Sequence, residues 1–256
     1  MGSHYRDILY REYTSSALTP LMDISEETYL FRARAFRKKF AGILPEDRGA
    51  NILDIGCGVG FFLYFLQKIG CTNTVGVDFS PEQIKTAQRF GVQGVTLSGY
   101  KEYLADKPSQ FDFMLLDNVI EHQTKDEIVD LLLAIFNSLK PGGRVYISTP
   151  NAGSPFGVPL AFVDFTHEVF FTAASLAQVL TACGFAPVRV YGEPLVGVDV
   201  RSFLRKTAFS LIKPVATVIQ IMGTGGVGRT KIPHVMEPSL AALAERPARP
   251  ARPSRS

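Results

Sequence analysis

The sequence predicts a doubly wound α/β domain, and three observations carry that prediction. Short apolar runs alternate with amphipathic segments, capping residues mark where those segments begin, and the first apolar run ends in a glycine-dense turn, "NILDIGCGVGFF" (Asn51–Phe62). Strands that read as unbroken apolar runs between helices belong to a parallel sheet covered on both faces.

Ser25, followed by Glu26 and Glu27, opens a helix whose Leu30, Phe31, Ala35 and Phe40 form a stripe to about Leu44, stopped by Pro45. "NILDI" is the first strand, and the glycine turn leads into a helix through Phe65 and Leu66. "NTVGVDFS" is the second strand. Ser80 then caps a helix with Pro81 at its first position, Gln83 completing a capping box and Gly91 as the stop. "VTLSG" and "FDFMLLDN" are the third and fourth strands. Thr124 and Glu127 form another capping box, followed by Ile128, Leu131, Leu132, Ile135, Phe136 and Leu139 at helical spacing. After Pro141-Gly142-Gly143 comes "RVYIST", the fifth strand. Thr172–Cys183 is a helix closed by Gly184, and "APVRVYG" is the sixth strand.

Beyond Val200 the pattern changes. Leu204, Leu211, Val215, Val218 and Met222 share one helical stripe, opposite Lys206, Ser210, Lys213, Thr217 and Gln220, with a kink expected at Pro214. The first reading of such a stripe is packing on the domain or on a second subunit. Arg201, Arg205, Lys206 and Lys213 leave open a peripheral contact of residues 200–222 with anionic lipid. "GTGGVG" (Gly223–Gly228) follows no strand and precedes no Lys-Ser/Thr, so it reads as a connector and not a P-loop. The expected organisation is a helical lid over 1–45, a core over 46–199, an amphipathic extension over 200–235 and a disordered Pro/Arg-rich tail over 236–256.

Composition narrows the function. Apolar residues make up 46% of the 256, enough for a substantial core, and no apolar run is long enough to span a bilayer. The three cysteines, Cys57, Cys71 and Cys183, match neither a disulfide framework nor zinc spacing, which points to the reducing cytoplasm. The net charge of +3 resides in the tail Glu245–Ser256, with its four Arg and one Glu; without it the charges balance. A nucleic-acid partner is therefore not expected. The oligomeric state is open between monomer and homodimer.

The glycine turn is where an open parallel sheet binds its ligand. Gly56, Gly58 and Gly60 permit close backbone approach, in the pattern D-x-G-x-G-x-G. A dinucleotide site reads G-x-G-x-x-G, and its third glycine falls where this chain has Phe61. Asp78, ending the second strand eighteen residues after Gly60, is placed to accept from both ribose hydroxyls of an adenosine. Asp54 beside a pyrophosphate would repel it; beside a sulfonium and an ammonium it attracts.

The combination resembles the class I S-adenosylmethionine-dependent methyltransferases over roughly Ile52 to Val190. "LDIGCGVG", "VGVDFSPEQIKTAQ", "FDFMLLDNVIEH" and "LKPGGRVYIS" are similar to four motifs of that family, in order. The resemblance implies a mostly parallel, seven-stranded Rossmann-like sheet with helices on both faces. It implies S-adenosyl-L-methionine as cofactor, with Asp54, Gly56, Cys57, Gly58 and Gly60 around its methionine portion. Asp78 would take the ribose, Phe79, Gly99 and Tyr100 the adenine, and Asn118 with Val119 the centre of the donor. Ordinary core packing is the competing reading for Phe79 and Tyr100.

Transfer to a hydroxyl is helped by a general base, and histidine suits neutral pH. His4 and His234 lie in segments with little claim. His122 in "IEH" and His167 in "DFTHEVFFT" fall at the active rim, and either one can be the base or merely brace its loop. Asp164 would orient His167 or touch substrate. Glu-His after strand four resembles the ubiquinone-biosynthesis-like branch, and D-x-T-H-x-x-x-F-T (Asp164–Thr172) resembles bacterial glycan-modifying methyltransferases. "DNVI" departs from the Asn/Asp-Pro-Pro-aromatic motif of amide and nucleobase methylation. "STPN" lacks the acid that would complete a magnesium site with Asp117, so no metal is expected. Tyr5, Tyr10, Tyr13 and Tyr29 are expected in the lid.

The expected activity is thus O-methylation of a sugar, glycan end or small hydroxylated metabolite by in-line transfer. A quinone or lipid acceptor at a membrane surface is the alternative. From other classes, an NAD-dependent oxidoreductase is disfavoured by Phe61 and Asp54, and a non-catalytic binding domain by the rim histidines.

Overall fold

The computed structural model describes residues 4–9, 23–224 and 235–248. Tyr10, Tyr13, His234, most of the Gly223–Gly228 stretch and the tail beyond 248 lie outside the described residues.

A seven-stranded sheet has the order β3-β2-β1-β4-β5-β7-β6. Its strands are β1 (Ile52–Ile55), β2 (Thr74–Asp78), β3 (Val95–Leu97), β4 (Phe111–Asp117), β5 (Leu139–Pro150), β6 (Val188–Gly192) and β7 (Ser239–Glu245). β1 pairs in parallel with β2 and β4, β2 with β3, and β4 with β5. The chain order reverses between β1 and β4, the crevice where doubly wound sheets bind ligands.

Alternate residues of the central strands feed two cores, as the period of a pleated strand dictates. Leu53, Met114, Leu116, Val145 and Ile147 join one core, beneath α5 (Tyr100–Leu104), α6 (Lys125–Ser138) and α8 (Ala173–Ala182). Ile52, Phe113, Leu115 and Tyr146 join the other, beneath α2 (Glu26–Lys39), α3 (Phe61–Lys68) and α4 (Pro81–Arg89). The expected α/β sheet with helices on both faces is thereby observed. α2 is one of those packed helices, burying Tyr29 and Phe36. The Tyr29 hydroxyl donates to the Val59 carbonyl, within the glycine turn, at 2.6 Å. α1 (His4–Leu9) reaches the rim through Tyr5 and Arg6.

Two local expectations need correction. Ser80 caps α4 by accepting from the Gln83 backbone N–H, but no return bond from the Gln83 side chain closes a box. The Ser80 N–H goes to Asp78 Oδ1 at 2.8 Å, and Gln83 Oε1 lies against Gly58. Around Thr124 the full capping box does form.

The larger correction concerns the expected disordered tail over 236–256: Ser239–Glu245 is β7. It runs antiparallel between β5 and β6, with Ile147 opposite Ala242 and Val190 opposite the same residue. "SLAALAE" has weak strand propensity, because alanine and leucine favour helix. The slot decides the matter. Two neighbouring edges supply hydrogen bonds on both sides, and small alanines fit between two helical layers. Leu240, Ala241, Ala242 and Ala244 are all buried.

α9 (Val200–Thr224) is a single helix through Pro214. α7 (Val158–Ala161) is one turn after β5.

Candidate active site

The parallel strands end together, so the turn after β1, the end of β2, the β4 loop and the β5 loop share one rim. Gly56, Gly58 and Gly60 all have positive φ, at 70°, 55° and 80°. A side chain on Gly56 would approach Val119 Cγ2 to 2.5 Å. The glycines therefore allow both the left-handed turn and close seating of the β4 loop. Cys57 is buried within this turn.

Asp78 is buried, its Oδ2 accepting from Gly58 N at 2.9 Å and its Oδ1 from Ser80 N at 2.8 Å. Burial raises its pKa while those N–H groups oppose the rise. Phe79 beside it is 54% exposed, which excludes core packing there. Tyr100 is half-buried against the core, its hydroxyl 3.4 Å from the Glu127 carbonyl. Gly99 caps α5, and exposed Asn118 holds a left-handed φ of 56° with its N–H on the Ser148 carbonyl.

Carboxylates dominate the crevice. Asp54 is buried, and burial first, then the charges of Asp117 and Asp78, push its pKa well above the ordinary range. Asp117 accepts from the Ser148 hydroxyl and pairs with Lys39 at 3.2 Å, and Lys39 also pairs with Glu193. Burial opposes ionisation of Asp117, yet Lys39 and Ser148 hold its pKa below normal. Four clustered carboxylates, Asp54, Asp78, Asp117 and Glu193, with one buried lysine favour a cationic ligand. That donor set fits a sulfonium carrying an ammonium and an adenosine, and it disfavours a pyrophosphate.

Across the rim, His122 and His167 meet edge to face, ring centroids 4.7 Å apart. His122 ends a 3₁₀ turn (Ile120–His122) after β4. His122 Nδ1 lies 2.8 Å from Thr166 Oγ1, and the Thr166 hydroxyl lies 2.7 Å from Asp164 Oδ1. A hydroxyl has one proton, and a carboxylate only accepts. Thr166 thus donates to Asp164 and accepts from His122 Nδ1–H, which leaves the lone pair on Nε2. Asp164 thus reaches His122 through Thr166, and its backbone carbonyl accepts from the His167 N–H at 3.3 Å. His167 Nδ1 donates to the Ala161 carbonyl at 2.7 Å. Burial, then the neighbouring His167, lowers the His122 pKa to about 4, and this imidazole is neutral at pH 7.

Sequence reasoning missed Glu121. It is 2% exposed, and among the described residues neither carboxylate oxygen nor the neighbouring Thr149 hydroxyl has a hydrogen-bond partner of standard geometry. Burial raises its pKa to about 8. Glu121, His122 and His167 offer ligand atoms all within 4.8 Å of one another, a set able to hold a borderline cation. "IEH" was the available signal, but nothing in it showed that the glutamate turns inward.

A family model described as a methyltransferase domain matches residues 28–190. The ubiquinone biosynthesis O-methyltransferase of Xylella fastidiosa is 35% identical over 109 residues, 40% of this chain and 43% of that protein. Its counterpart from Roseobacter denitrificans is 31% identical over 161 residues, 56% of this chain and 63% of that protein. The chain thus matches less than two thirds of the length of either relative. Among solved structures, a SAM-dependent methyltransferase from Archaeoglobus fulgidus superposes with a TM-score of 0.63 at 21% identity, covering 95% of this chain and 100% of that one. Phosphoethanolamine N-methyltransferase 2 of Haemonchus contortus, in complex with S-adenosyl-L-methionine, gives 0.59 at 17% identity, covering 93% and 60%. These structural likenesses establish the fold, and the family match over most of the sheet establishes that the chain belongs to the class I S-adenosylmethionine-dependent methyltransferases.

Proposed function

We propose that the chain methylates a hydroxyl oxygen of an apolar acceptor, with His122 or His167 taking the proton. The carrying observation is the pair of imidazoles meeting edge to face at the rim, each with Nδ1 held on a fixed partner. S-adenosylmethionine, when bound, supplies a methyl carbon activated by a sulfonium leaving group. The glycine turn would hold its methionine portion, Asp78 and Phe79 its adenosine side, and Asp54 and Asp117 would favour its positive charges. Asn118 and Val119 would border the space between donor and acceptor. The chain's remaining task is to align the acceptor oxygen and exclude water. Arg6 ties α1 to that end through the His122 carbonyl (2.9 Å) and Glu127 (2.8 Å).

An apolar acceptor ranks above the sugar or glycan that the sequence first suggested. Phe162, Val163 and Phe165, just before His167, expose apolar surface at the rim, and the relatives carry the name of ubiquinone biosynthesis. The test is transfer of labelled methyl to catechol-like, quinol-like and sugar acceptors by the full chain. Product only on sugars would overturn the acceptor reading. Product on none, with S-adenosylhomocysteine bound, would overturn catalysis on a hydroxyl of these classes.

A further inference from the structure

α9 sits on the domain the wrong way round for a helix that packs by its apolar face. Lys213, Gln220 and Phe209 face the body. Lys213 pairs with Glu237, the Gln220 amide donates to the Gly153 carbonyl, and Phe209 meets Phe156 edge to face. The apolar stripe expected to pack, Leu204, Leu211, Val215, Val218 and Met222, is 56–78% exposed instead. Val200, Phe203, Ile212 and Ile219 widen it. An exposed apolar surface of that extent marks an interaction site.

Charge selects the partner. α9 contains no Asp or Glu, while Arg201, Arg205 and Lys206 are exposed in its first turns. By helical spacing, Arg201 and Arg205 flank one border of the stripe. Two copies paired through α9 would offer these cations no carboxylate from either helix. An anionic lipid surface satisfies both parts at once, phosphates for the arginines and the acyl boundary for the stripe. No helix among the described residues is long and apolar enough to cross a membrane. At 25 residues α9 is about 37 Å long and would lie in the plane of the surface.

The segment on which α9 rests, Gly153 to Phe156, continues into α7 and then to exposed Phe162, Val163 and Phe165, next to His167. We propose that α9 seats the protein on an anionic lipid bilayer with its apolar stripe at the headgroup–acyl boundary. In the methyl-transfer reading, on which this second step rests, the same seating brings the acceptor rim to the source of an apolar acceptor.

Flotation of the full chain with vesicles of phosphatidylcholine, with and without phosphatidylglycerol, tests the seating. Recovery should require phosphatidylglycerol and be lost in Leu211→Glu/Val215→Glu. Arg201→Ala/Arg205→Ala should partition about 30-fold more weakly, at about 1 kcal/mol per cation near the surface. A shift in melting temperature with S-adenosylhomocysteine on the same samples reports folding and reads the donor site separately. Absence of flotation, equal flotation of the variants, or a solution dimer dissolved by Leu211→Glu would each overturn the proposal.

Discussion

His122 and His167 stand 4.7 Å apart, ring centre to ring centre, although they arrive on different loops, after β4 and after β5. Parallel pairing of Asp117 with Ser148 brings those loops to one rim. If one imidazole is the base, His122→Ala or His167→Ala should lower turnover by about 10²–10⁴. Steady-state methyl transfer checks the rate, and calorimetry with S-adenosylhomocysteine should find affinity unchanged. Full activity in both variants would leave alignment as the whole mechanism. Thr166→Val should lower turnover less, by releasing the His122 tautomer, and Thr166→Ser should restore it.

Asp78 should govern donor affinity. In a thermal-shift series, S-adenosylhomocysteine at a hundredfold excess over its dissociation constant should add about 2.7 kcal/mol to wild-type stability. Asp78→Asn should shrink that gain, and NAD should produce none in either protein. An unchanged gain in the variant would move the ribose site elsewhere.

Gly56→Ala tests the turn itself. Its φ of 70° and the 2.5 Å approach to Val119 Cγ2 impose both backbone strain and overlap. Denaturant unfolding should show a loss of about 2–4 kcal/mol, and donor binding should weaken as well. Gly70→Ala, also at positive φ but with open space around it, should lose only the backbone part.

Glu121 and His122 predict opposite pH slopes. Glu121 ionises near 4.5 when unfolded and near 8 when folded, so between these values the folded state keeps the extra proton and stability falls as pH rises. His122 binds its proton near 6.5 unfolded and near 4 folded, so its contribution is lost as pH drops through that window. The two oppose each other from about pH 4.5 to 6.5. Of these two groups only Glu121 contributes above pH 6.5, with a slope of at most about 1.4 kcal/mol per pH unit. Urea unfolding from pH 6.5 to 8.5 should show the decline, and Glu121→Gln should flatten it. A decline that persists in Glu121→Gln belongs to another group.

Truncation after Val235 should be severe. It removes the strand between β5 and β6 and exposes two edges. The truncated chain is expected to lose its cooperative thermal transition, whereas truncation after Ala248 should leave that transition in place.

By itself the sequence determined the donor half of this protein. "LDIGCGVG", Asp78, the Thr124 box and the apolar strand runs are local signals, since turns, caps and strand periods are set by neighbouring residues. The other half depended on groups far apart in the chain. "SLAALAE" became a strand because β5 and β6 left a slot for it. Asp164 reached His122 through Thr166 because two loops share a rim. Glu121 became a buried, protonated carboxyl because the packed rim closed over it. The stripe of α9 was legible as apolar, but which side it turned outward was decided by Lys213 with Glu237 and Gln220 with Gly153. Periodicity names the faces of a helix, and only tertiary contacts choose the face that meets the domain.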